Sequence, residues 1–139
     1  MRKLLAILAI ALAAIAATVA NAVPASAFGS EQLGCYVSPS HTAPQPSPYC
    51  SDGMPSTSYS ATFGVLNESG AYSYAWSVPT WYTSKIAMGC TAGYDYCVLS
   101  NLRPVGEITV SVTISQNGQS STLSATADIE PWCGNYFCG

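Results

Sequence analysis

The sequence predicts an all-β fold, an antiparallel β-sandwich whose loops and ends are held by disulfides. Apolar and hydroxylated residues alternate strictly over residues 108–115, and a period of two is typical of a strand with one buried face. Charged residues make up only 8% of the chain, so few side chains are available for the solvent face of a helix. Six cysteines, an even number, all lie beyond residue 27, which indicates disulfides at fixed points of this fold.

The first 27 residues are predicted to be a cleavable signal peptide. Arg2 and Lys3 give a cationic start, residues 4–20 form an almost unbroken apolar run, and residues 25–27 have the small-residue pattern of a cleavage site. Residues 20–22 are a second candidate cleavage site. A retained anchor is the alternative, but the apolar run is at the short end of the spanning range. We therefore expect a secreted, extracellular chain that begins near Phe28 and has no membrane partner after cleavage.

The mature chain is expected to be one acidic domain. Lys85 and Arg103 are its only cations, against the seven acids Glu31, Asp52, Glu68, Asp95, Glu107, Asp128 and Glu130, so its formal net charge is 2 − 7 = −5. Such a surface repels phosphate groups, and we expect no nucleic acid as a partner. His41 is the only histidine, and no P-loop, G-x-S-x-G, G-x-G-x-x-G or H-E-x-x-H motif occurs. We therefore expect no enzyme activity and no cofactor.

Three disulfides are expected, because an even number of cysteines in an exported protein indicates a disulfide framework. Their spacing favours three local pairs that each enclose a turn-rich segment, Cys35–Cys50, Cys90–Cys97 and Cys133–Cys138. Pairing of the N-terminal with the C-terminal cysteines, for example Cys35–Cys133 or Cys50–Cys138, is the alternative. A zinc site is not expected, since the chain has no C-x-x-C.

The elements before the last hairpin follow from prolines and from alternation. Residues 28–56 are predicted to be an irregular, proline-rich segment, because five prolines lie between Pro39 and Pro55. The sandwich domain is expected over residues 57–139, ending in a tail with two cysteines. Strands are predicted at 59–65, 72–78 and 85–88, with a turn at 67–70.

A hairpin near the end of the chain is the clearest element. Asn117-Gly118 favours a type I′ turn between two alternating segments, 108–115 and 123–129. A two-residue turn at this place sets Val112 opposite Leu123. The apolar residues of both segments then share one face, so turn and pattern predict the same register.

The same register sets Glu107 opposite Asp128, and like charges directly across a ladder are unfavourable. We expect the hairpin to splay at this open end, where solvent or Arg103 relieves the repulsion. The alternative is a cation held by Glu107 and Asp128 with Glu130 or Asp95, since carboxylates are hard oxygen ligands.

One family resemblance is visible in the strands. Tyr74-Ala75-Trp76, then residues 106–112, a turn and a Ser/Thr-rich last strand resemble bacterial immunoglobulin-like modules, most of all the polycystic-kidney-disease (PKD) type. The resemblance covers residues 57–131 and implies an immunoglobulin-like sandwich with Trp76 in the core between two sheets. The chain departs from the pattern in having no cysteine inside its alternating strands and no Asp-Gly after the Trp76 segment. The alanine-rich signal peptide is likewise typical of bacteria.

Aromatic residues next to turns and cysteines are the candidate binding residues: Trp81, Tyr82, Tyr94, Tyr96, Trp132, Tyr136 and Phe137. Such rings either cap the ends of a sandwich or form a contact surface. They favour a secreted, non-enzymatic binding or adhesion module for a glycan or a protein.

Two alternatives remain open: an inhibitor of an extracellular hydrolase that uses the Cys90–Cys97 loop, and a structural component of the cell envelope. Coplanar exposed rings would favour a glycan. A protruding 90–97 loop would favour inhibition, and a flat Ser/Thr surface would favour the envelope component.

Overall fold

The computed structural model describes residues 28–40, 47–104, 106–133 and 136–137, and the predicted signal peptide lies outside them. The elements are β1 (Gln32–Ser38), β2 (Tyr49–Ser51), β3 (Tyr59–Leu66), β4 (Ser73–Ser77), a 3₁₀ helix (Thr80–Lys85), β5 (Ile86–Gly89), β6 (Tyr96–Leu102), β7 (Gly106–Gln116), β8 (Gln119–Ile129), β9 (Trp132–Cys133) and β10 (Tyr136–Phe137). Within the described residues, no helix has the length and apolar character needed to cross a membrane.

Two four-stranded sheets form the body of the protein, so the predicted all-β, sandwich-like fold is confirmed. Sheet I has the order β1-β3-β6-β5 and sheet II the order β2-β8-β7-β4. The expectation of purely antiparallel sheets is wrong at one strand, because β2 runs parallel to β8 with Tyr49 opposite Thr126. Just before β2, an isolated antiparallel bridge places Ser47 opposite Cys35 of β1.

The core lies between the two sheets and follows the period of two. Along β3, every second side chain from Tyr59 to Val65 is buried, and the intervening residues are only partly buried. Both sheets contribute inward-facing residues to one cluster: Leu33, Cys35, Val37, Tyr59, Ala61, Phe63, Val65, Cys97, Leu99 and Leu102 from sheet I, and Ile108, Val110, Val112, Ile114, Ala125, Ala127 and Ile129 from sheet II.

The expected irregularity of residues 28–56 is wrong for β1. This strand pairs with β3 along its whole length, from Gln32 opposite Leu66 to Ser38 opposite Ser60. The five prolines all follow Ser38, so they restrict only the chain after β1. The alternation of Leu33, Cys35 and Val37, which are all buried, is the signal that identifies the strand.

The hairpin of β7 and β8 has the predicted register, with Val112 opposite Leu123. Asn117 and Gly118 have φ angles of 51° and 79°, and a type I′ turn requires both to be positive. The expected splaying at the open end is wrong, because the ladder continues through Glu107 and Asp128 to Gly106 and Ile129.

Two local disulfides are confirmed. Cys35–Cys50 joins β1 of sheet I to β2 of sheet II, and Cys90–Cys97 joins the end of β5 to the start of β6. These bonds exclude the alternative pairs Cys35–Cys133 and Cys50–Cys138. The expected pair Cys133–Cys138 lies outside the described residues.

The position of Trp76 differs from the one implied by the family resemblance. Trp76 lies on β4, the edge strand of sheet II, and is only partly buried where it packs against the core. An edge strand has a neighbour on one side only, so the ring covers the side of the core instead of filling its centre.

Candidate binding surface

Exposed apolar side chains are concentrated in one short stretch of the chain. The described residues include five large hydrophobic residues that are exposed, and four of them are Trp81 (82%), Ile86 (39%), Met88 (57%) and Tyr94 (47%). They come from the 3₁₀ helix, β5 and the loop that follows, and we call these four residues the β5 surface. The fifth, Tyr49, lies on β2.

The 3₁₀ helix presents Trp81 because it is a crossover between two edges. It carries the chain from β4 of sheet II to β5 of sheet I, and none of its residues is buried. Tyr82 packs against the core, and its N–H donates to the carbonyl of Pro79 at 2.8 Å. With Tyr82 directed inward, the neighbouring Trp81 is left in solvent.

The Cys90–Cys97 loop is a tight turn. The N–H of Tyr94 donates to the carbonyl of Thr91 at 3.1 Å, and the N–H of Cys90 donates to the carbonyl of Tyr96 at 2.9 Å. Gly89 has a φ of +71°, and a Cβ at this position would overlap the carbonyl oxygen of Tyr96, so only glycine fits where β5 meets the turn.

Both sheets hold this loop in place. The carbonyl of Asp95 accepts a hydrogen bond from the N–H of Val65 in β3 at 2.9 Å. The carbonyl of Tyr94 accepts one from the indole N–H of Trp76 in β4, also at 2.9 Å. The ring of Tyr94 meets that of Tyr96 edge to face, with centroids 5.3 Å apart and planes at 67°. The backbone of the loop is therefore fixed, although residues 91–95 are exposed.

The aromatic residues predicted to bind a partner separate into different environments. Trp81 and Tyr94 belong to the β5 surface, Tyr96 adjoins it, and Tyr82 is a partly buried cap of the core. Trp132 lies elsewhere: it donates its indole N–H to Asp52 Oδ2 at 3.2 Å. The side chains of Tyr136 and Phe137 lie outside the described residues.

Trp132 also borders a separate groove of about 380 Å³, which three prolines line with it, Pro55, Pro104 and Pro131. Ile86 and Met88 were not among the predicted binding residues. The run Ile86-Ala87-Met88 has no alternation that would distinguish an exposed edge strand from a buried one.

Carboxylates and tyrosines form pairs near the hairpin turn. Tyr72 donates its hydroxyl to Glu31 Oε1, and Tyr74 donates to Glu68 Oε1 at 2.7 Å. The hydrogen bond from Tyr72 lowers the pKa of Glu31. Burial raises the pKa of Glu68, and the negative charges of Asp95 and Glu31 act in the same direction. Burial and the bond to Glu68 raise the pKa of Tyr74.

Tyr49 relieves the repulsion between Glu107 and Asp128. Its hydroxyl donates to Asp128 Oδ2 at 2.7 Å, and this bond is the main reason that the pKa of Tyr49 is raised to about 12. The negative charge of Asp95 acts on Glu68 instead, where it raises the pKa of that carboxyl. Within the described residues, no three or more His, Cys, Asp or Glu side chains are placed to hold a metal ion.

The outer face of the hairpin is an uncharged array of hydroxyl groups between its turn and the Glu107–Asp128 pair. Three cross-strand pairs are hydrogen-bonded at 2.8–2.9 Å: Thr109 with Thr126, Ser111 with Ser124, and Thr113 with Thr122. The hydroxyls of these pairs satisfy one another across the two strands.

Comparison with known proteins gives no match to a protein-family model, to a curated protein or to a solved structure. The immunoglobulin-like and PKD-like resemblance therefore stays a prediction.

Proposed function

We propose that the chain is a secreted, non-enzymatic binding module that recognises a protein partner through the β5 surface. The observation that supports this most is the concentration of four exposed hydrophobic side chains between Trp81 and Tyr94. Exposed apolar residues on soluble proteins are usually scattered, and a cluster of them marks a contact site. Tryptophan and tyrosine also dominate the energetics of protein interfaces.

The composition and geometry of the surface favour a protein over a glycan. Sugars stack on coplanar rings, whereas the planes of Tyr94 and Tyr96 are 67° apart. Between Trp81 and Tyr94 along the chain, the exposed side chains are aliphatic, Ile86 and Met88, and flexible methionine side chains suit the apolar pockets of a protein partner.

The loop geometry favours a binding module over an inhibitor that acts as a substrate mimic. A hydrolase that cleaves peptides binds its substrate as an extended segment. The Cys90–Cys97 loop is a turn closed by the bond from Tyr94 to Thr91, and it is held against both sheets. A fixed loop of this kind binds with little loss of conformational entropy.

We also infer that the fold is immunoglobulin-like. The order β1-β3-β6-β5 corresponds to the A-B-E-D sheet of immunoglobulin domains, and β8-β7-β4 corresponds to G-F-C. Trp76 lies on β4, the strand that corresponds to C, although it is only partly buried there. Secretion is supported by the two disulfides, which persist in oxidising compartments.

The test is site-specific photo-crosslinking in the medium of the producing organism. The mature chain carries p-benzoylphenylalanine at Trp81 in one sample and at Tyr49, the exposed aromatic residue of the β1–β2 side, in the matched control. We expect a discrete protein adduct from position 81 that position 49 does not give.

The recovered partner should bind the purified unmodified chain and lose about tenfold in affinity with Trp81→Ala. The absence of an adduct at position 81 would contradict the proposal. A glycan-array signal that Trp81→Ala abolishes would contradict the choice of a protein partner.

An envelope component is the second candidate, supported by the hydroxyl array on β7 and β8. A component of this kind should assemble with itself, since it has to form a lattice. Sedimentation of the purified mature chain distinguishes the candidates: ordered assemblies that Ser111→Lys prevents would favour the envelope component, and a monodisperse monomer would favour the binding module.

A further inference from the structure

The outer edge of β8 is only partly covered. β2 pairs with β8 from Thr126 to Asp128 and no further. Over residues 119–125, none of the described strands pairs with β8 on that side. Part of sheet II therefore ends in an open strand edge beside β2.

The direction of the backbone groups along this edge follows from the bonds that β2 makes. The N–H of Thr126 donates to the carbonyl of Pro48 at 2.8 Å, and the carbonyl of Asp128 accepts from the N–H of Asp52. Backbone groups of a strand alternate sides with a period of two. The N–H and C=O groups of Ser120, Thr122 and Ser124 hence point to the same side, where no described strand meets them.

This edge borders a groove of about 280 Å³ that separates it from β1. Leu33, Pro48 and Leu123 give the groove apolar walls, and Thr122 and Ser124 lie along its β8 side. On the β1 side, the N–H of Cys35 donates to the carbonyl of Ser47 at 2.8 Å. By the same period of two, the backbone groups of Leu33 face the groove as well.

Glu31 supplies the charge in this groove. Its side chain lines the groove and is only 5% exposed. Its two oxygens accept hydrogen bonds from the N–H of Gly29 and the hydroxyl of Tyr72. A carboxylate has about four lone-pair sites, so these bonds leave acceptor capacity for a ligand. The bond from Tyr72 lowers the pKa of Glu31, which keeps it ionised at neutral pH.

We propose that this groove binds an extended peptide segment of another protein as an added strand beside Ser120, Thr122 and Ser124, with a lysine or arginine side chain directed at Glu31. Strand addition gives affinity through backbone hydrogen bonds and specificity through alternate side chains. The carboxylate of Glu31 favours a cation among those side chains, and the net charge of −5 (two cations against seven acids beyond residue 27) attracts one.

This site is independent of the β5 surface, because the two lie on opposite edges of the sandwich. β1 and β2 form one side, joined by Cys35–Cys50. β4 and β5 form the other side, where Trp76 bonds to the carbonyl of Tyr94. A peptide in the groove therefore leaves Trp81 and Met88 uncovered.

The experiment uses the oxidised mature chain and a synthetic probe, the acetylated and amidated peptide Thr-Val-Thr-Lys-Thr-Val-Thr. Its alternation directs the lysine and both valines to one face of an added strand. Amide chemical shifts and hydrogen exchange are measured during titration. We expect saturable shifts at Ser120, Thr122 and Ser124, whose amides exchange quickly in the free chain and slowly in the complex.

Charge is tested with a matched pair of variants. The same peptide with glutamate in place of lysine should bind about tenfold more weakly. Glu31→Gln should remove most of that difference and leave only the part due to the remaining net charge, whereas Glu107→Gln, which removes a charge that does not line the groove, should preserve it.

Strand addition is tested on the peptide, so that protein folding is not affected. N-methylation of the alternate peptide amides that face β8 should abolish binding, and N-methylation of the other set, which has only Leu33 of β1 opposite it, should weaken binding much less. Equal effects of the two sets, equal binding of the lysine and glutamate peptides, shifts confined to the β5 surface, or no shifts would each overturn the proposal. So would a concentration-dependent dimer that protects the same three amides without peptide.

Discussion

The indole N–H of Trp76 donates a hydrogen bond to the backbone carbonyl of Tyr94 at 2.9 Å, and this bond joins the edge strand of sheet II to the disulfide loop of sheet I. Tyr94 is exposed and belongs to the β5 surface. The orientation of the loop that carries it therefore depends on a residue of the other sheet. Trp76 thus helps to orient the β5 surface without being part of it.

Replacing Trp76 with phenylalanine should loosen the loop. The variant keeps an aromatic ring against the core but removes the indole donor, so we expect a loss of about 1–2 kcal/mol in the free energy of unfolding. Urea denaturation measures this loss. The amide of Val65, which donates to Asp95 in the loop, should also exchange faster. Trp81→Phe is the control, and it should change neither quantity because Trp81 is 82% exposed. Unchanged exchange at Val65 in Trp76→Phe would contradict the role of the bond.

The two disulfides should differ in their contribution to stability. Cys35–Cys50 and Cys90–Cys97 close loops with sequence separations of 15 and 7 residues. In the chain-entropy model these loops correspond to about 3 and about 2.5 kcal/mol. Replacing each pair with serines and measuring urea denaturation should give the larger loss for Cys35–Cys50, which also joins the two sheets. A larger loss for Cys90–Cys97 would contradict this ranking.

Glu68 and Glu31 should respond to pH in opposite directions. The pKa of Glu68 is raised by folding, so its contribution to stability is present below its unfolded pKa and is lost as pH rises through the folded value. The pKa of Glu31 is lowered, so its contribution is present above the unfolded pKa and is lost as pH falls through the folded value. At neutral pH we therefore expect Glu68→Gln to stabilise the protein and Glu31→Gln to destabilise it.

Thermal unfolding of both variants across the acidic range measures these effects. Both differences from the unmodified chain should shrink at low pH, where the carboxyl groups are protonated in every form. If the two substitutions shift the melting temperature in the same direction at neutral pH, the assignment of the two hydrogen-bonded pairs is incorrect.

The hydroxyl of Tyr49 should lose its proton at a higher pH than an ordinary tyrosine, and its bond to Asp128 should stabilise the open end of the hairpin. Its pKa is raised to about 12, mainly by the hydrogen bond to Asp128. This contribution to stability is present below the unfolded pKa, near the ordinary value of 10.0, and is lost as pH rises through the folded value. An ultraviolet titration that follows phenolate formation should show one fewer tyrosine with a raised pKa in Tyr49→Phe than in the unmodified chain. The control Tyr94→Phe should keep the tyrosine with the raised pKa at position 49.

Local patterns predicted most of the fold, and long-range contacts account for what they missed. Alternation and the Asn117-Gly118 turn were enough for the register of β7 and β8, because hairpin pairing is local. The donor that relieves the repulsion at Asp128 is Tyr49, which is 79 residues away. Residue spacing does not reveal a contact over that separation. The sequence therefore predicted splaying of the hairpin end or a bound cation.

The candidate sites were predicted only in part, for a similar reason. Trp81 and Tyr94 stood out because they lie next to turns and cysteines. Met88 did not, because its exposure follows from the position of β5 at the edge of sheet I. The groove beside β8 exists because β2 pairs with β8 over three residues only. The prolines before β2 favoured an irregular segment, so this short parallel strand was not predicted.

The affinity of the purified partner for three forms of the mature chain tests the central claim most directly. Isothermal titration compares the unmodified chain, Trp81→Ala and the control Tyr49→Ala, using the protein recovered by crosslinking at position 81. A binding site at the β5 surface predicts a loss of about tenfold or more for Trp81→Ala and no loss for Tyr49→Ala. Equal affinities for all three forms, or a loss confined to Tyr49→Ala, would contradict it.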